Sequence, residues 1–392
     1  MDIDRLLGEM TLEEKVGQLF LLAFEAANID AAELLFERYF VGGSYLSNDN
    51  LPDPATAAAM TARIQGFAAR TRLALPVFLG ADQEGAWQVM YPDSCPGPGN
   101  MALGASGDPE QARAMYRVIG EEVRAVGLHA TFGPCADCNT NPANAIIGTR
   151  SFGERPELVA AMTAAAVEGA LEGGAIPTLK HYPGHGDTTL DSHRGLPTVD
   201  RSRDELLAVD LLPFARGVAA GAPLVMTAHI RFPALDPDRP ATLSPVILDE
   251  ILRGELGFDG AVISDSMNMH SMRTVYDPVD AATQAINAGV DILMLAEEHY
   301  DHDAAYLGRD AELDLRPQRI RVDAVAVVIR RHWDCETAAP CLGGHGIVSS
   351  STRAIAPGDL SVGCQRMYHR RARGASPEEP VSAAGSRDID SP

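Results

Sequence analysis

Eight short apolar runs recur along the chain, near 19–24, 41–46, 76–81, 130–134, 176–180, 223–227, 261–264 and 291–295. No other feature restricts the fold as much. A strand with one wet face alternates apolar and polar residues, whereas these runs are apolar throughout, so both of their faces must be covered. The stretches between them are amphipathic or alanine-rich and long enough to be helices, as at 53–71, 108–126, 156–172, 203–220 and 244–255. Parallel strands need such crossovers. Eight strand–helix units predict an α/β fold of the (β/α)8 TIM-barrel type rather than an open sheet. Thr11 and Glu14 form a T-x-x-E capping box, which predicts a first helix over 11–18.

The barrel is expected to occupy 1–333 as a single domain. From Asp334 to Pro392 the sequence is rich in Gly, Ser, Pro and Arg without periodicity, so a disordered tail is expected over 334–392. A hydrophobic fraction of 46% is ample for a large core. The net charge of −22 argues against nucleic acid or an anionic membrane as a partner. No run of about 18 apolar residues is present, so no membrane span is expected. The N-terminal stretch MDIDRLLGEMTLEEK is acidic and lacks the apolar core of a secretory signal, so a cytoplasmic location is expected. Cys135 and Cys138 form a C-x-x-C pair, but the other four cysteines supply no second close pair for zinc, and reduced thiols are expected.

The polar clusters share one position. Asp82 follows the third run, and Asp137, Asn139 and Arg150 follow the fourth. Lys180 and His181 end the fifth, His229 the sixth and Asp265 the seventh. Barrel enzymes carry their chemistry at these C-terminal strand ends. The densest cluster is KHYPGHGDTTLDSH, with three histidines, two aspartates and a lysine in fourteen positions. Lys180 is one of only two lysines, with Lys15, in the whole chain. Asp191 and His193 are two apart; if the loop bends, the carboxylate can hold the imidazole in one tautomer and raise its pKa, which suits an acid/base near neutrality. His185 and Asp187 are read as loop-shaping residues, and His229 either lines the site or fills the strand end. In VISDSMNM a buried strand ends in Asp265, a carboxylate placed to act as a nucleophile. The segment GADQEG and the arginine within GTRSFG complete the set.

Together these segments, with MTLEEKVGQLF, GPCADCNTNPANAIIGTRSFG, MTAHIRFPALD, ATLSPVILDEILRGELGFDGAVISDSMNM and GVDILML, resemble glycoside hydrolase family 3. The likeness is to its single-domain bacterial β-N-acetylglucosaminidases and runs from about Met10 to Glu298. It implies a retaining β-N-acetylhexosaminidase acting on cell-wall fragments. Asp265 would be the nucleophile, and His193, partnered by Asp191, the acid/base. Asp82, Arg150, Lys180 and His181 would bind the sugar. No cofactor or metal is implied, and a monomer acting on a small carbohydrate is expected. The chain departs from the family pattern at Met90, where a sugar-binding arginine is common, and after Glu298. Open alternatives are a β-glucosidase or glycoside phosphorylase of the same family, a catalytically impaired sugar-binding member, and metal-dependent hydrolysis through His181, His185, Asp187, Asp191 and His193.

Overall fold

The computed structural model describes residues 3–296 except 87–89, 191, 193 and 194. The expected tail at 334–392 therefore lies outside the described residues, as do Asp191, His193 and Trp87. Every expected strand is present: β1 (Phe20–Leu22), β2 (Gly43–Tyr45), β3 (Phe78–Ala81), β4 (Ala130–Thr131), β5 (Ile176–Tyr182), β6 (Leu224–Thr227), β7 (Ala261–Ile263) and β8 (Leu293–Leu295). Each pairs in parallel with its neighbour in sequence from β1 to β7, and β8 pairs in parallel with β1. A bridge between Ile263 and Ile292 joins β7 to β8, and the Ser264 N–H donates to the Ile292 carbonyl at 2.9 Å. The sheet thus returns on itself as a TIM-type barrel. Among the described residues no helix is long and apolar enough to cross a membrane.

Alternate side chains along the strands point inward and fill the barrel. Leu21, Phe78, Phe132, Ile176, Met226, Ile263 and Met294 form this interior cluster. Burying each such side chain contributes roughly 1.5–3 kcal/mol. Phe132 fits because Gly80 stands beside it: a Cβ there would lie 2.5 Å from the ring. The barrel is therefore plugged by side chains, and any chemistry must sit at its rim.

Among the described residues, four of the covering helices begin with proline at the first turn: Pro54–Ala68, Pro109–Ala125, Pro156–Glu172 and Pro278–Ala288. Asp53 caps the first by accepting from Ala55 N and Thr56 N, and Asp108 caps the second by accepting from Glu110 N. Both devices suit a helix start, where backbone N–H groups lack partners. The Thr11–Glu14 capping box forms as expected, but it opens the second helix, Leu12–Gly17, after a helix at Ile3–Glu9. Ile3–Glu9 is only seven residues long and contains Gly8, so its sequence signal is weak. The helix expected over 203–220 is widened over Leu206–Asp210. Pro213 has no N–H to return to the Val209 carbonyl, and the Cys138 thiol donates to that carbonyl instead, at 3.4 Å.

Candidate active site

The site is built where strands β3 to β7 end. Lys180, inside β5, sends its ammonium to two carboxylates on the loop after β3: Asp82 Oδ1 at 2.6 Å and Glu84 Oε1 at 2.7 Å. Arg150 grips Glu84 with two parallel bonds, Nε to Oε2 at 3.1 Å and Nη2 to Oε1 at 2.9 Å. The Tyr45 hydroxyl donates to Asp82 Oδ2 at 3.0 Å. Two cations and two carboxylates thus balance in a nearly dry cluster. Burial by itself would raise the Glu84 pKa, but the Arg150 and Lys180 charges outweigh it and hold the carboxyl at about 2. Burial likewise pulls Lys180 down, and the Asp82 and Glu84 charges more than restore it. The lysine therefore stays charged and Glu84 stays ionised.

Asp137, fully buried after β4, is the second hub. It accepts from the Cys135 thiol at 3.1 Å, from His181 N at 3.2 Å, from His185 N at 2.7 Å, and bonds His181 Nδ1 at 2.8 Å. Burial opposes its charge, but the histidines beside it prevail and hold its pKa below the usual carboxylate range. A carboxylate only accepts, so His181 Nδ1 carries the proton. Arg150 Nη2 lies 3.4 Å from His181 Nε2. A guanidinium only donates, so Nε2 is the accepting nitrogen of this contact. The loop after β5 can approach β4 because Gly186 carries no side chain: a Cβ there would lie 1.8 Å from the Cys138 carbonyl oxygen.

Asp265 ends β7. Its Oδ1 accepts from the Ser266 N–H at 2.8 Å, and the residue keeps part of its surface open. Its negative charge reaches two buried histidines, His185 and His229, and opposes the lowering of their pKa values by burial. His229 Nε2 bonds the Ser266 carbonyl at 3.0 Å and Nδ1 meets Thr242 Oγ1 at 2.8 Å. It braces the turn beside Asp265 from the end of β6, and its side chain is buried.

Asp82, Arg150, Lys180 and His181 are thus brought together, with Asp265 across the rim in the same electrostatic neighbourhood. Of these, only Asp82 and Asp265 keep appreciable open surface. Glu84 and Asp137 are the residues that sequence reasoning underweighted. The missed signal was stoichiometric: a buried lysine and arginine require two counter-charges, and DQEG supplies the second. Asp187 shapes the loop, as expected, by accepting from Thr140 Oγ1 and Arg201 Nη2, both at 2.9 Å. Met90 is buried rather than open to a ligand, and its N–H donates to Gln83 Oε1 at 3.1 Å.

Cys135, Asp137 and His181 place three metal-capable atoms within 4.8 Å of one another. The Asp137 carboxylate is already saturated by donors, and burial pushes the Cys135 thiol well up, so a metal would have to displace both protons from a closed site. Cys135 and Cys138 are free thiols, but Cys95 is disulfide-bonded, which corrects the expectation of reduced cysteines at that position.

Residues 11–327 match the family model described as the glycosyl hydrolase family 3 N terminal domain. The chain is 38% identical over 279 residues to beta-hexosaminidase A of Pseudoalteromonas piscicida, covering 67% of this chain and 46% of that one. It thus spans about half the length of that relative. It is 36% identical over 274 residues to a beta-hexosaminidase of Stenotrophomonas maltophilia (strain K279a), covering 68% and 79% of the two chains. Among solved structures, a glycoside hydrolase family 3 beta-N-acetylglucosaminidase from Paenibacillus sp. str. FPU-7 superposes with a TM-score of 0.79 at 36% identity, covering 91% of this chain and 68% of the other.

Proposed function

The chain belongs to glycosyl hydrolase family 3, and on that premise we propose that it is a retaining β-N-acetylglucosaminidase that removes terminal β-linked N-acetylglucosamine. The observation that carries this reading is Asp265: a part-open carboxylate at the end of a barrel strand, beside a balanced cluster of buried charges. In the first step an Asp265 oxygen attacks the anomeric carbon, and the bond to the leaving oxygen breaks. His193, for which Asp191 would serve as partner, gives its proton to that oxygen. In the second step His193 takes a proton from water, water attacks the same carbon, and the glycosyl ester to Asp265 is cleaved. Two displacements at one carbon return the original configuration. Asp82 and Lys180 would orient the sugar hydroxyls, with Arg150 and His181 behind them.

Relatives named beta-hexosaminidase favour the N-acetyl sugar over glucose. Cell-wall fragments as the natural substrate and residence in the cytoplasm belong to the same reading. Release of 4-nitrophenol from its β-N-acetylglucosaminide is expected to exceed release from the β-glucoside by at least about tenfold, roughly 1.4 kcal/mol of transition-state preference. Preference for the glucoside would overturn the sugar assignment and leave the mechanism standing. Proton transfer and a carboxylate nucleophile suffice for this chemistry, so dialysis against a chelator is expected to leave turnover unchanged. A large loss restored by one divalent metal would favour metal-dependent hydrolysis instead.

A further inference from the structure

We propose that His185 is a positioning residue that acts through Ser192, holding by its imidazole the one residue that separates Asp191 from His193. The proposal rests on the acid/base reading given above.

The His185 ring is fixed on all sides. The His185 backbone N–H donates to Asp137 Oδ1 at 2.7 Å, and its backbone carbonyl accepts from Asn144 Nδ2 at 2.8 Å and from the Thr188 hydroxyl at 3.0 Å. Its Nδ1 lies 2.8 Å from Thr188 Oγ1 and its Nε2 lies 3.0 Å from Ser192 Oγ. The protons on this chain can be counted. Thr188 has one hydroxyl proton, which goes to the His185 carbonyl, so Thr188 Oγ1 accepts from Nδ1–H. A neutral imidazole then has its lone pair on Nε2, and Ser192 must donate to it. Burial lowers the His185 pKa to about 4, so the ring is neutral throughout the ordinary working range. The bond therefore has one direction, from serine to histidine.

Ser192 is also held from the opposite side, where its carbonyl accepts from the Ser271 N–H at 3.2 Å. That residue belongs to the short helix His270–Arg273 that follows Asp265. One buried serine thus ties the loop after β5 to the segment after β7. An acid/base on this loop gains from such a tether, because proton transfer demands hydrogen-bond reach to the leaving oxygen. His185 touches no reacting atom in this scheme; its effect passes entirely through Ser192.

The test compares Ser192→Ala and His193→Ala with the wild type on two substrates. One is an aryl glycoside with a good leaving group, and the other is an N-acetylglucosamine disaccharide with a poor one. Ser192→Ala removes a single oxygen atom, and a thermal melt will verify that the variant folds. If the tether acts, kcat on the disaccharide falls at least about tenfold more than kcat on the aryl glycoside, with KM little changed. A purely structural serine would lower both rates together, through the amount of active protein. Equal losses, or no loss, in Ser192→Ala while His193→Ala discriminates by leaving group would overturn the tether alone. If His193→Ala also fails to discriminate, the acid/base reading falls and the tether with it. His185→Gln provides a second probe of the same bond, judged by the same ratio.

Discussion

Replacing Asp265 with alanine is expected to reduce turnover by about a thousandfold or more, because the covalent ester of the proposed mechanism can then no longer form. The fold should tolerate the change. The Asp265 side chain keeps part of its surface open, and the Ser266 N–H that donates to it at 2.8 Å is a neutral group. A small anion such as azide, entering the vacated space, should restore part of the rate by attacking the anomeric carbon from the nucleophile's side. Its product would be the α-glycosyl azide, the opposite configuration to normal turnover, and NMR spectroscopy reads this directly. Folded Asp265→Ala protein with activity within about tenfold of the wild type would remove Asp265 from the mechanism.

Replacing Glu84 with alanine should act first on stability. Glu84 is the shared partner of Arg150, at 2.9 and 3.1 Å, and Lys180, at 2.7 Å. Its removal leaves two buried cations facing one carboxylate, Asp82. Breaking a buried ion pair by deleting one partner costs about 3–5 kcal/mol, since the remaining charge stays desolvated. Urea unfolding measures this, and a loss below about 1 kcal/mol would show that the cluster relaxes or admits water. The pH dependence has a definite sign. Glu84 is held at about 2 against a reference of 4.5, so the folded state binds its proton less readily than the unfolded one. The stabilisation is complete above pH 4.5 and is lost as the pH falls towards 2. Glu84→Gln, which cannot ionise, should lack that component of the acid sensitivity.

These two residues differ in how far sequence could identify them. Asp265 ends an apolar run inside a segment whose order among other segments is distinctive, so its place at the strand end was readable, and its role is the one proposed above. Glu84 stands two residues after Asp82 in DQEG, and nothing local distinguishes which carboxylate faces solvent. In the folded chain Asp82 keeps 26% of its side chain open and Glu84 keeps 2%. His185 was readable only as a loop-shaping residue; that its second nitrogen meets Ser192 depends on how the loop folds over Asp137.

The sequence by itself determined the barrel. Eight runs that are apolar on both faces, separated by helix-length stretches, leave few other ways to cover every strand. It also determined that the polar residues gather at one rim, because strand ends are local features. Only the tertiary structure decided how those residues share charge and protons. Arg150 meets Glu84 across 66 positions, and Lys180 meets Asp82 across 98. Partners that far apart are chosen by barrel closure, which sets which strand ends become neighbours, and burial then makes each pairing obligatory by raising the cost of an unpaired charge.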